Sequence, residues 1–427
     1  HTLYGDIYSL WALVGKPRQG YIYTQLCVAK SQFKYALRYC LQNEKALRAK
    51  VLADKYVSNP RNMVSFWKEV QKLNSAPPLA QNIAGVSGEA NITGMWKTHF
   101  SDILNSVQDD TQTKNDVLSE LKGASSVRTI NVSVAEIQEA IRELSSGRSP
   151  GCDELYSEHF KFGGNACAIH LSICFSMMLA HGFLPPSLTK VILNPILKDK
   201  AGNLSDKDNY RPIALATISS KILERVILNR CKTCLATSDN QFGFKARHST
   251  DMAIFALKEV IDYYLRNRSP VFVCFIDARK AFDRVSHWTL FKKLLSKGIK
   301  PDIVRLLVTW YGTQQFHVMW GKCLSEGFEV TNGVRQGGIL SPYLFNTYID
   351  GLSELLNASN IGCRYLGSLN HLCYADDMVL LSPTPHGLQK LLNLCDDYAS
   401  SHDILFNTKK TVCMTFLPSL FNNMCLP

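Results

Sequence analysis

The chain has 427 residues, of which 46% are hydrophobic and 19% charged, and carries a net charge of +11. This composition excludes a disordered, collagen-like or coiled-coil chain and supplies core material for two or three domains. No apolar run is read as reaching the roughly 18 residues of a membrane helix, and no secretory signal opens the sequence. The 14 cysteines therefore read as reduced thiols of an intracellular protein, in nucleus or cytoplasm, with no membrane partner.

Residues 21–57 predict one long helix, stopped near Asn59-Pro60. Between Lys16 and Lys68 stand eleven Lys or Arg against two acids, a surplus of nine. Lys30, Lys34 and Arg38 recur every four residues and so share one helix face, a stripe suited to a phosphate backbone and equally compatible with a solvated face. A second helix is predicted over Met63–Leu73, a loop over 74–93, where Ser, Asn, Gly and Pro gather, and a helix over Met95–Val107. Val134–Leu144 is predicted helical behind Ser133 as N-cap, and 165–182 as an apolar helix. Val191–Leu197 predicts a strand, Ile213–Leu235 mostly helix and Asp251–Leu265 helix. Cys231 and Cys234 have metal-ligand spacing but no second pair, and read as two helix thiols.

The last third changes character. VFVCFI (271–276) is a continuous β-rich apolar run, as in a strand buried on both faces, and it ends in Asp277. A helical stretch follows. FHVMW and GFEVTNGVRQGG predict a hairpin entering a glycine-rich turn, and Ser341-Pro342 opens a helix. HLCYADDMVLL predicts two strands around an acidic turn, then GLQKLLNLCDDYASSH a helix and ILFNTKKTVCMTF a strand. The order strand, helix, strand, strand, helix, strand matches the split βαβ, ferredoxin-like arrangement. In such a sheet the central strands are neighbours, so Asp277, Asp376 and Asp377 converge. Clustered carboxylates repel unless a cation joins them, and hard oxygen ligands in a partly hydrated site suit Mg²⁺. Asp is also favoured in tight turns, which alone would explain Asp376 and Asp377 but not Asp277.

FIDARKAFDRV, NGVRQGGILSPYLFN and YADDMVLL, in that order, resemble the palm motifs of reverse transcriptases, and NYRPIAL and QFGFKARHST lie where such enzymes have finger motifs. With FWKEV and MWKTHF upstream, the chain resembles a LINE-type (non-LTR) retrotransposon reverse transcriptase. The resemblance implies an α+β right-hand fold: a basic helical extension over 1–130, fingers over 131–270 and a ferredoxin-like palm over 271–427. It implies an RNA-directed DNA polymerase that takes an RNA template, a DNA primer and dNTPs, with two Mg²⁺ ions for which Mn²⁺ can substitute. Asp277, Asp376 and Asp377, with the carbonyl of Ala278, would face the metals. Phe282 would bar the ribose 2′-hydroxyl, Gln336 and Gly337 would pack beside nucleotide and template, and Lys198 and Arg211 would clamp the triphosphate. Lys410, or its neighbour Lys409, would protonate the leaving pyrophosphate. The sequence departs from the family pattern at GFKARHST, at Arg279 and at Glu154, where Gly is usual. Fifty residues follow Asp377, too few for a thumb, so the resemblance implies a fragment lacking thumb and endonuclease. The alternative reading is a catalytically silent nucleic-acid binder.

Overall fold

The computed structural model describes residues 2–43, 46, 47, 49, 50, 53, 54, 80–123, 131–199, 201–365, 367 and 369–418. It divides into two units, His1–Leu79 and Ala80–Pro427. In the first, α1 (Thr2–Leu13) and α2 (Tyr21–Gln42) pack on each other, burying Leu26 and Ala29. Lys30, Lys34 and Arg38 are exposed on α2. The predicted helix over Met63–Leu73 and the FWKEV motif lie outside the described residues.

The second unit opens with a hairpin, β1 (Asn82–Ile83) and β2 (Val86–Ser87), and then α3 (Glu89–Leu104). This corrects the loop expected over 74–93. Ala84 and Gly85 both take positive φ, 51° and 82°, the backbone of a tight hairpin turn. Ile83 is buried against α3, whose Ile92, Trp96, Phe100 and Leu104 form one stripe at four-residue spacing. Two helices follow, α4 (Thr111–Gly123) and α5 (Val134–Arg142). Ser133 caps α5 as expected, in a reciprocal capping box with Glu136.

After a single helical turn at Ser157–Lys161 comes α6 (Gly164–His181), 18 residues long and, by length and composition only, apolar enough to cross a membrane, which corrects the reading that no apolar run reaches that length. Its Ala168, Ser172, Phe175 and Leu179 are buried at a spacing of three or four residues, the pattern of a helix packed on one face.

The fingers sheet joins β3 (Lys190–Leu197), β4 (Tyr210–Leu215), β6 (Gln315–Trp320) and β7 (Cys323–Leu324) in the order β4-β3-β6-β7. Two expectations change here. NYRPIAL is a strand rather than the start of a helix. Pro212 is tolerated because β4 is an edge strand, and the helix α7 (Ile218–Cys231) begins only after the Thr217 cap. FHVMW pairs in parallel with β3 rather than forming a hairpin with GFEVTNG, which meets it in one isolated bridge, Phe316 to Phe328. Cys231 is buried, which pushes its thiol up to about 12, the opposite of a metal-binding thiolate.

After α8 (Thr250–Arg266) comes the palm sheet: β5 (Val271–Ile276), β8 (His371–Tyr374), β9 (Asp377–Ser382) and β10 (Val412–Phe416), all pairs antiparallel, in the order β10-β5-β9-β8. This is the ferredoxin-like order expected from the sequence. Its helices are α9 (His287–Ser296), α10 (Pro301–Thr313), α11 (Ser341–Ala358) and α12 (Pro385–Ser401), and they share one core with α5, α6 and α7. Pro342 sits in the first turn of α11, where its missing N–H costs nothing.

Candidate active site

Three segments from distant parts of the chain meet at one end of the palm sheet. β5 and β9 pair with Ile276 opposite Met378, so one step further along the ladder sets Asp277 opposite Asp377. The β8–β9 turn, Ala375-Asp376, takes left-handed backbone at Ala375, φ 58°. A non-glycine residue holds that shape at some cost. The cost is offset from behind by Gln241, whose Oε1 accepts from Ala375 N–H at 2.9 Å and from Gly243 N–H at 2.8 Å. Gly243 is required there: a Cβ would run into the Ala375 backbone. The finger motif QFG is thus the clamp of the acidic turn.

Burial, then Asp377 and Asp277, raises the carboxyl of Asp376, while Arg211 on β4 lowers it. Burial and Asp277 raise Asp377, while Lys410 lowers it. Among the described residues no ion pair neutralises any of the three. Nor, among the described residues, do any three His, Cys, Asp or Glu side chains gather closely enough to enclose a metal ion; Asp277 accepts from Asn407 Nδ2 at 3.0 Å. The three carboxylates therefore repel one another without enclosing a site. Asp277 and Asp376 are half-buried and Asp377 is exposed, and carboxylate oxygens gathered without an ion pair are the donors a hard divalent cation takes.

The other sequence-picked residues each have their own neighbours. Phe282 stacks on Phe345 of α11 with centroids 4.4 Å apart. Ala278 is buried and bridges to Phe406. Gly337 has φ 111°, and a Cβ there would stand 3.0 Å from the Ala214 carbonyl of β4. Ala214 N–H donates to the Gln336 carbonyl at 2.7 Å, so the glycine-rich loop lies along the finger strand. Lys198 donates to the Asp208 carbonyl at 2.7 Å. Burial and the nearby charges of Lys280 and Arg211 push its ammonium below the usual lysine range. Of the two candidate lysines in the turn before β10, it is Lys410 whose charge acts on Asp377.

Four residues escaped sequence reasoning. Asp283, 5% exposed, accepts from Gln336 Nε2 at 2.6 Å. Burial pushes it up to about 6. Lys280 reaches within 3.9 Å of Asp208, beside Lys198. Glu224 on α7 pairs with Arg335 and accepts from the backbone N–H of Ile339 and Leu340, which pins the loop from below. Gln241 lay inside a quoted motif, but its partner stands 134 residues away.

Residues 196–420 match the model of the family described as reverse transcriptase (RNA-dependent DNA polymerase). This chain belongs to that family. Its relatives place it with the LINE-type, non-LTR members. It is 27% identical over 295 residues to the RNA-directed DNA polymerase from mobile element jockey of Drosophila funebris, covering 67% of this chain and 32% of that protein. The Drosophila melanogaster jockey polymerase is 24% identical over 429 residues, 95% of this chain and 45% of the relative. The retrovirus-related Pol polyprotein from type-1 retrotransposable element R2 of Popillia japonica is 27% identical over 256 residues, 58% of this chain and 35% of the relative. The chain thus spans between about a third and a half of the length of these relatives.

Proposed function

We propose that the chain is the polymerising core of a LINE-type RNA-directed DNA polymerase, which adds dNTPs to a primer 3′-hydroxyl on an RNA template. The observation that carries this reading is the Ile276–Met378 register, which leads Asp277 and Asp377 off the same end of the ladder, with Asp376 beside them, Arg211 and Lys410 near, and no ion pair to any of the three among the described residues. Asp277, Asp376 and Asp377, with the Ala278 carbonyl, would hold two Mg²⁺ ions, or Mn²⁺ in their place. When bound, such ions activate the attacking hydroxyl and stabilise the charge on the leaving pyrophosphate. The rest of the work falls to the chain. Arg211, Lys198 and Lys280 hold the triphosphate, the guanidinium by its fork of donors. Phe282, braced on Phe345, fills the space a 2′-hydroxyl would need. Gln336 and Gly337 pack against the base and template. Lys410 supplies a proton to pyrophosphate. On this reading residues 1–130 are a basic extension, 131–270 the fingers and 271–427 the palm, with β6 and β7 lent to the fingers sheet.

A second reading, a nucleic-acid binder without activity, is favoured by the exposed Lys30, Lys34 and Arg38 stripe on α2. Primer extension on an RNA template with Mg²⁺ and dNTPs separates the two. Product from the wild type and none from a folded Asp376→Ala supports the polymerase. No product from the wild type, with RNA affinity that falls steeply with salt, leaves the binder.

A further inference from the structure

We propose that Asp283 is the positioning residue of Gln336: its buried carboxylate fixes the amide so that Oε1 alone is presented to the nucleotide. This rests on the polymerase reading for its consequence, but the contact itself stands on geometry. A carboxylate only accepts hydrogen bonds, so the amide must turn its Nε2 toward Asp283, as it does at 2.6 Å. Among the described residues Oε1 has no partner.

The placement of Asp283 is otherwise hard to account for. It is 5% exposed, and no cation among the described residues lies within ion-pair distance. A buried carboxylate without a cation is expensive, and burial raises it to about 6. Its one side-chain partner among the described residues is the Gln336 amide.

The backbone of the loop is held by other groups. Asn332 Nδ2 donates to the Asp283 carbonyl at 2.6 Å, Val334 N–H to the Phe282 carbonyl at 2.8 Å, and Ala214 N–H to the Gln336 carbonyl at 2.7 Å. Asp283 therefore adds nothing the loop backbone needs; it orients one side chain. A cavity of about 10 Å³, lined by Asp283, Gln336, Pro212 and Ala214, lies beside the pair. That is room for about one water, enough for the amide to swing once its anchor is gone. Phe282 precedes Asp283, so the ring assigned to the sugar and the carboxylate that holds Gln336 are neighbours in the chain.

The experiment is steady-state primer extension with Asp283→Ala, Asp283→Asn, Gln336→Ala and the double variant Asp283→Ala/Gln336→Ala. We expect Asp283→Ala to raise the KM for dNTP about tenfold with kcat within about twofold, the scale of one lost charge-assisted hydrogen bond. Asp283→Asn keeps an acceptor oxygen and the same volume, so it should restore most of the affinity and guards against an alanine variant that does not fold. In the Gln336→Ala background Asp283→Ala should add nothing. Full additivity, or an asparagine variant as impaired as the alanine, overturns the inference. A readout free of activity keeps it apart from the polymerase reading. In ¹⁵N-glutamine-labelled protein, the side-chain amide of Gln336, assigned by its loss in Gln336→Ala, should be protected from exchange in the wild type and unprotected in Asp283→Asn or Asp283→Ala only to the extent the KM rises. A Gln336 amide that exchanges freely in the wild type sinks the proposal even if the enzyme is active.

Discussion

Two sets of carboxylates lie within the same unit and are treated in opposite ways. Glu224, with its side chain 1% exposed, is fully answered: Arg335 pairs with it, two backbone N–H groups donate to it, and Arg335 lies 4.7 Å over the Trp310 ring. Asp277, Asp376 and Asp377 are held together by strand register and a clamped turn, yet nothing of opposite charge touches them among the described residues. The first arrangement spends charge on fixing a loop. The second keeps a mutual repulsion that Arg211 and Lys410 offset from a distance and no ion pair cancels. The contrast teaches that a buried carboxylate says little by itself, and that the presence or absence of its partner separates scaffold from chemistry.

The largest test of that contrast is Asp376→Ala. Primer extension should fall by roughly a thousandfold or more, while the melting temperature without metal stays level or rises, because a repelling charge is gone. Mg²⁺ should raise the melting temperature of the wild type and do so less for this variant. A marked loss of stability would place Asp376 on the scaffold side and break the comparison. Glu224→Ala should behave in the reverse sense. It strands the Arg335 guanidinium in the core and should cost about 3 to 5 kcal/mol by denaturant titration, with a Glu224→Leu/Arg335→Met pair recovering much of it. A cost below about 1 kcal/mol would show that Glu224 is not the anchor claimed.

The third test concerns pH. His287 on α9 is buried, shares a 2.8 Å hydrogen bond with the Gly333 carbonyl, and is lowered by burial from 6.5 to about 4. The unfolded chain binds the proton more readily, so the stability this neutral ring contributes is complete above pH 6.5 and is lost as pH falls toward 4. The full loss is on the order of 3 kcal/mol. Denaturant midpoints should drop between pH 6.5 and pH 4.5 and drop less in His287→Asn; equal midpoints would refute the assignment. The smallest effect is expected away from both carboxylate sets. Glu154 holds φ 56°, left-handed backbone where the family pattern has glycine. Glu154→Gly should add about 0.5 to 1 kcal/mol of stability by relieving that strain, with activity unchanged. Destabilisation would show that the side chain matters more than the backbone.

The palm was legible because its signals are local. VFVCFI is apolar without a break and stops at an aspartate, YADD interrupts an apolar run, and the element order allows one sheet order. What was not legible depends on contacts between distant parts of the chain. NYRPIAL carries residues that fit either helix or strand, and pairing with β3 decides. The hairpin at 82–87 is hidden in a polar stretch because only Ile83 and the packing of α3 reveal it. Asp283 lay unremarked in a stretch read as helical, since its partner, Gln336, lies 53 residues on.

The sheet order also has a consequence in time. β5 lies between β9 and β10, and both are made later, the second ending at Phe416. At the roughly 5–20 residues per second of synthesis, VFVCFI waits on the order of five to twenty seconds for its first neighbour, β9, and a few seconds more for β10. An unpaired edge is a template for pairing with another chain. A ribosome-arrested chain ending at Asn370 should therefore recruit a chaperone or aggregate, and one extended past Phe416 should not. Equal behaviour of the two would show that β5 is sheltered earlier, by α8 or the core beneath it. The strand that leads into Asp277 thus keeps at least one open edge until its last partner is made.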